Sequence, residues 1–237
     1  MQLSPDTNVI ASWGPWTLSA TIVFTWLTIA VLVGFSLWLG RGLSAEGIPS
    51  HVQSIVETIV EEICQQIEDV TQQDPTLYLP FVGSLFLFIV TANILTIIPG
   101  FEPPTGSLST TVALSICVFF AVPIYGIGHL GLRRYLLSYL KPTPLMLPFQ
   151  IIGEFSRTVA LAMRLFGNIM SGSLITAILL SIVPFFIPAL MQAMGLVFGV
   201  IQAYVFAVLS LVYISSAASI SDESRGYSPV KKTGAPP

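Results

Sequence analysis

Arg164 stands in the run Thr158-Val-Ala-Leu-Ala-Met-Arg164-Leu-Phe-Gly-Asn-Ile-Met-Ser-Gly-Ser-Leu-Ile, with no acidic residue between Phe155 and Ser221. A guanidinium does not lose its proton at accessible pH, so its chemistry is the attraction of an anion and not acid–base exchange. An ionisable group in sequence this apolar is costly and is a functional hypothesis by default. On a helix, Arg164, Asn168 and Ser171 follow at i, i+4 and i+7 and share one face, with Ser173 read on the adjoining side. A second stripe, Gln192, Gly195, Gly199 and Gln202, runs at i, i+3, i+7 and i+10. Its glycines allow a close helix approach or leave a water-sized gap. Gln202 could position the Arg164 guanidinium but cannot neutralise it.

Blander readings stand beside these. Arg164 could snorkel to the interface or hold a lipid phosphate. Asn168 and Gln202 could make ordinary interhelical hydrogen bonds, and the glycine pair could serve packing alone. Glu154 lies three residues before Arg157, so it either pairs with that arginine locally or lines an ion path. Glu102 reads as a solvated loop acid. A carboxylate for Arg164 must come from a loop or from another subunit.

The elements that position these residues follow from composition. The chain is 54% hydrophobic and 9% charged over 237 residues, with mean hydropathy +0.83. A soluble domain carries about a quarter charged residues, so this is an all-α integral membrane protein of about five transmembrane helices. The spans are expected at 16–39, 77–98 and 108–132, followed by 145–183 and 189–220. The last two are too long to cross upright at about 1.5 Å per residue, and Pro184 and Pro188 mark a turn between them, so they form a long, strongly tilted hairpin. At 49–71, Ile55, Ile59, Ile63 and Ile67 recur every four residues among Glu57, Glu61, Glu62, Glu68 and Asp69, which predicts an amphipathic helix that either docks or links. Residues 221–237 form a polar tail, and the whole reads as a single membrane domain.

Basic residues set the orientation. Arg41, Arg133, Arg134, Lys141, Arg225, Lys231 and Lys232 follow the first, third and last spans, which puts the N-terminus outside and the C-terminus in the cytoplasm. The N-terminus lacks the basic region of a signal peptide. No basic patch with interleaved aromatics supports nucleic-acid binding. Cys64 and Cys117 are isolated, as are His51 and His129, so no metal site is expected. The spanning helices hold no Ser/His, His/Glu or paired-Asp arrangement, which argues against an enzyme active by itself.

The string Arg164-Leu-Phe-Gly-Asn168 resembles the signature of subunit a of the F-type ATP synthase membrane sector. Ala92-Asn93-Ile-Leu-Thr-Ile-Ile-Pro-Gly-Phe101 with Pro103-Pro104-Thr105 is similar to that family's second-helix end and loop. Gln202-Ala-Tyr-Val-Phe206, with Tyr213, resembles its final helix. The resemblance covers nearly all of the chain past Thr71 and implies a stator, non-catalytic by itself and without a cofactor. Its partners would be a rotating c-subunit ring, b-type peripheral stalk subunits and, indirectly, the F1 head, in a bacterial plasma membrane. Arg164 matches the essential arginine facing the ring carboxylates between two aqueous half-channels. Asn168 and Gln202 match positions lining that interface. Where many members carry Glu nine residues after the arginine and His seven before the glutamine, this chain has Ser173 and Gly195. Either water fills that gap and H⁺ is carried, or the ion is Na⁺, for which hydroxyl and carbonyl oxygens suit better than a titrating relay. A stand-alone transporter with a gating arginine is the rival reading.

Overall fold

The computed structural model describes residues 9–13, 16–42, 51–98, 100–131, 133, 146–182 and 187–223. Among these, six helices carry the architecture: α1 Ala20–Gly42, α2 His51–Thr71, α3 Leu79–Leu95, α4 Leu108–Leu130, α5 Met146–Ile182 and α6 Ile187–Glu223. Helix is the form that satisfies every backbone group within one segment, as a membrane demands. α1, α4, α5 and α6 are long and apolar enough to cross one.

α3 is shorter than the expected 77–98, at 17 residues. Pro75–Leu77 forms a 3₁₀ turn before it, and Thr96 caps its end. Asp74 opens the turn: its Oδ1 accepts from the Thr76 amide at 3.0 Å and the Thr76 hydroxyl at 2.7 Å. These bonds favour the ionised carboxyl and hold it below its ordinary range.

The first helix starts later than residue 16. A hairpin precedes it, β1 Val9–Trp13 against β2 Trp16–Ser19, antiparallel, with Trp13 opposite Trp16. The strands are separated in sequence by Gly14-Pro15. α4 stops at Gly131, whose φ of 76° with ψ of 149° is a backbone conformation that glycine adopts readily and other residues do not. α5 and α6 are 37 residues each, roughly 55 Å at 1.5 Å per residue, against a bilayer core of about 30 Å. They pack on each other, and each is longer than such a core is thick. α6 runs on to Glu223, past the expected 220. The rest of the polar tail, and most of the basic residues used for orientation, lie outside the described residues.

Two apolar clusters organise the bundle. In one, Ile67 of α2 and Tyr78 meet Val82 of α3, Val122 of α4 and Leu211 and Ile214 of α6. In the other, Leu85 and Ile89 of α3 and Val118 of α4 meet Leu161 and Leu165 of α5 and Phe206 of α6. Ala121, Ala203 and Ala207 let the helices approach at these seams.

α2 packs on the chain's own bundle over half of its length. Ile63, Ile67 and Val70 join the first cluster, and Tyr204 of α6 donates to Gln66 Oε1 at 3.0 Å. Ile55 and Ile59, on the same four-residue repeat, are exposed.

Candidate functional site

α5 buries Leu161, Ala162 and Leu165 against the bundle. This leaves Arg164 exposed on its outer side, among exposed Phe155, Val159 and Met163. Among the described residues Arg164 makes no hydrogen bond and no ion pair. The ion pair recorded there joins Arg157 Nη1 to Glu154 Oε1 at 3.6 Å. Arg157 also lies over the Tyr213 ring, 5.5 Å from its centroid, which ties α5 to α6. The local pairing of Glu154 is therefore realised. Glu102 is exposed in its loop.

Ser171 is exposed beyond half-buried Asn168, and its hydroxyl donates to the Asn168 carbonyl at 3.1 Å. Ser173 donates to the Met170 carbonyl at 2.9 Å. Such back-bonding satisfies a hydroxyl without a partner helix. Ser173 is not beside Arg164: nine residues on, at roughly 100° each, it falls half a turn round α5. The face shared by Arg164, Asn168 and Ser171 therefore ends without it.

The stripe on α6 faces α3. Asn93 of α3 is buried, and its Nδ2 donates to the Ile89 carbonyl at 2.8 Å and to the Gly199 carbonyl at 3.2 Å. A Cβ at Gly199 would lie 2.5 Å from Asn93 Cγ, so only glycine admits this approach. Gln192 Nε2 donates back to the Thr96 carbonyl at 2.6 Å. Gly195, between them, is exposed, and nothing lies within 4 Å of where its Cβ would be. The two glycines thus differ: Gly199 is a close approach, and Gly195 is an exposed position with open space where its Cβ would be. Asn93 is the residue that the sequence reading left without a role. Its signal was an amide in an apolar run, two residues before the end of α3.

Gln202 is 7% exposed, and its Nε2 is buried without an acceptor. No hydrogen bond joins it to Arg164. Its neighbours in sequence, Ala203 and Phe206, pack with Leu165. Extending the antiparallel register from Arg157 and Tyr213 therefore sets Gln202 roughly level with Asn168.

The family model for the ATP synthase A chain matches residues 22–215, from the first helix to the end of the α6 cluster. The chain belongs to that family. Among relatives of the ATP synthase A chain, "ATP synthase subunit a 2" of Picosynechococcus sp. is 57% identical over 228 residues, covering 96% of this chain and 98% of the relative. "ATP synthase subunit a 1" of Crocosphaera subtropica is 54% identical, covering 95% and 98%. "ATP synthase subunit a" of Nitrosospira multiformis is 51% identical, covering 96% and 91%. The match spans the whole constellation around Arg164 as well as the α3–α6 contact.

One expectation separates the two glycines of this A-chain family member. Gly195→Ala meets open space in the middle of a helix and should leave the stability of the purified protein unchanged or raise it by up to about 1 kcal/mol, the helix-propensity gain of alanine over glycine. A lowered thermal midpoint would mean that the space is filled.

Proposed function

We propose that the chain is the ion-translocating stator subunit of the F0 sector, with Arg164 facing the carboxylates of a rotating c-subunit ring. The observation that carries this is the exposed guanidinium on an apolar outer face with no carboxylate in reach among the described residues. Such a cation calls for an anion supplied from outside the chain. A ring carboxylate arriving by rotation, held as an anion and then released to be protonated, meets that need without a permanent pair. Arg164 also repels cations and so blocks a direct leak between two offset half-channels. Asn168 and Ser171 continue the polar face, and Gln202 sits behind it with a donor to spare. Gln192, Gly195 and Ser173 line the outer approach, and Glu154 with Arg157 the inner one. The b-type stalk and the F1 head complete the machine in a bacterial plasma membrane, with the N-terminus outside.

The carried ion is H⁺, moving along water where Gly195 leaves space. The exposed hydroxyls of Ser171 and Ser173 favour Na⁺ as a second reading, since hard cations take oxygen ligands. Affinity purification should bring down a c-ring and a soluble ATPase head. A protein that transports ions alone, without them, would instead be the stand-alone transporter. With the complex in proteoliposomes, a protonophore should collapse all ATP-driven ion accumulation, and Na⁺ should not stimulate hydrolysis. Na⁺-stimulated hydrolysis together with ²²Na⁺ uptake that survives the protonophore would identify Na⁺ as the carried ion.

A further inference from the structure

α5 presents Arg164, yet few of its contacts with the bundle have a direction. Among the described residues, every side-chain hydrogen bond that α5 makes returns to its own backbone, from Thr158 to Ser181. Its packing rests on Leu161, Ala162, Leu165 and Ile169, all apolar. In a membrane such a seam holds by van der Waals packing alone. A small turn of α5 on this seam would leave no polar atom unpaired.

Arg157 makes the contact that does have a direction. Its Cζ lies over the Tyr213 ring of α6, 5.5 Å from the centroid, and its Nη1 meets Glu154 Oε1 at 3.6 Å, about one turn back on α5. A guanidinium is drawn to the face of an aromatic ring. Tyr213 is itself held, because its side chain packs against both apolar clusters. Its hydroxyl makes no hydrogen bond among the described residues, so the ring face is what it offers Arg157. Arg164 follows Arg157 by seven residues of unbroken helix. That is two turns less about 20°, with a rise of about 10.5 Å. The two arginines therefore leave α5 on nearly the same side, and a rotation permitted at one is carried to the other.

We infer that Arg157 is the positioning residue for Arg164: seated between Glu154 and the Tyr213 ring, it sets how α5 is turned against α6 and so which way Arg164 faces. This rests on the proposal that Arg164 faces the ring of c subunits. It accounts for two arginines on one side of one helix with different surroundings. The first is paired within the chain and anchors it. The second makes no ion pair among the described residues and is left to meet an anion from outside.

The test uses the intact complex with Cys64 and Cys117 replaced by serine. Spin labels are placed on Met163→Cys of α5 and Leu87→Cys of α3, both exposed positions, and pulsed electron paramagnetic resonance reads their separation. The parent and Tyr213→Phe, which keeps the ring, should give one narrow distance. Tyr213→Leu and Arg157→Met should broaden or shift it. Both should also lower ATP-driven pumping about fivefold, the change that losing a cation–ring contact at a half-exposed site makes in a two-state ratio. Arg157→Lys keeps a cation for the ring and the carboxylate, and should keep the narrow distance. Tyr213→Leu is the variant that decides if Arg157→Met fails to assemble. A distance unchanged in Tyr213→Leu overturns the assignment, whatever happens to pumping. So does a Tyr213→Phe that behaves like Tyr213→Leu, since the ring face would then not be the anchor. Failure of the underlying stator proposal shows differently: Arg164→Ala would pump normally while the distance still responded to Tyr213→Leu.

Discussion

Arg164→Ala is expected to reduce ATP-driven ion pumping by about 10²–10³-fold or more, the range for removing a preorganised electrostatic group from its reaction, while the complex still assembles. Both halves of this result come from the geometry. Leu161 and Leu165, not Arg164, make the α5 contacts with the bundle. The guanidinium is exposed and bonds to nothing described in the chain, so its removal leaves no buried partner unsatisfied. What is lost is the fixed positive charge that, on the proposed function, faces the ring. Arg164→Lys separates charge from charge permanence. An ammonium set against an apolar ring surface can be neutralised by desolvation, as a guanidinium cannot. That variant should therefore lose activity as pH rises, because its charged form is the one depleted, whereas Arg164 keeps its charge throughout. Fluorescence quenching in proteoliposomes reads the pumping, and copurification of ring and head reads the assembly. Native pumping rates in Arg164→Ala would remove this residue from the mechanism.

Gly199→Ala should destabilise the protein by about 1–3 kcal/mol, the usual cost of overpacking, and should lower pumping with it. The added methyl would sit 2.5 Å from Asn93 Cγ and 2.7 Å from Asn93 Oδ1. Neither α3 nor α6 can retreat freely, because Leu85, Ile89, Ala203 and Phe206 are packed on either side in the same cluster. Adding Asn93→Ala removes the Cγ and Oδ1 clashes, though the Asn93 Cβ stays at 3.0 Å. The double variant should therefore recover part of the loss despite carrying two changes. The non-additive term is the signature of residues in direct contact. Thermal unfolding in detergent checks it, and simple additivity of the two losses would contradict the close approach.

Hydropathy and length were enough to read four of the spans, because a membrane imposes one secondary structure and one minimum length on any segment that crosses it. The position of Arg164 was legible for a similar reason: a permanent cation in apolar sequence without a local acid has few places to be. The partner of the α6 stripe was not. Spacing states that Gln192, Gly195, Gly199 and Gln202 share a side of a helix, but it does not state what stands opposite. Only Gln202 of the stripe is set against Arg164 by sequence, and the structure pairs Gly199 and Gln192 with Asn93 and Thr96 of α3. The two glycines were indistinguishable by type and could be separated only by their surroundings. Ser173 was set on the adjoining side of the Arg164 face, although the angular step of the helix places it half a turn away. The hairpin before α1 also escaped, because nine residues around Gly14-Pro15 are too few for a periodic signal to stand out from a polar lead-in.

The half-docked α2 is anchored along one half of its length only. Its clamped end, from Ile63 on, is embedded in the same cluster as Tyr78 and Ile214, while the stretch from His51 to Glu62 projects for roughly 18 Å at 1.5 Å per residue. The overhang can unwind without disturbing its root, so its amides should exchange with solvent well before those between Ile63 and Thr71.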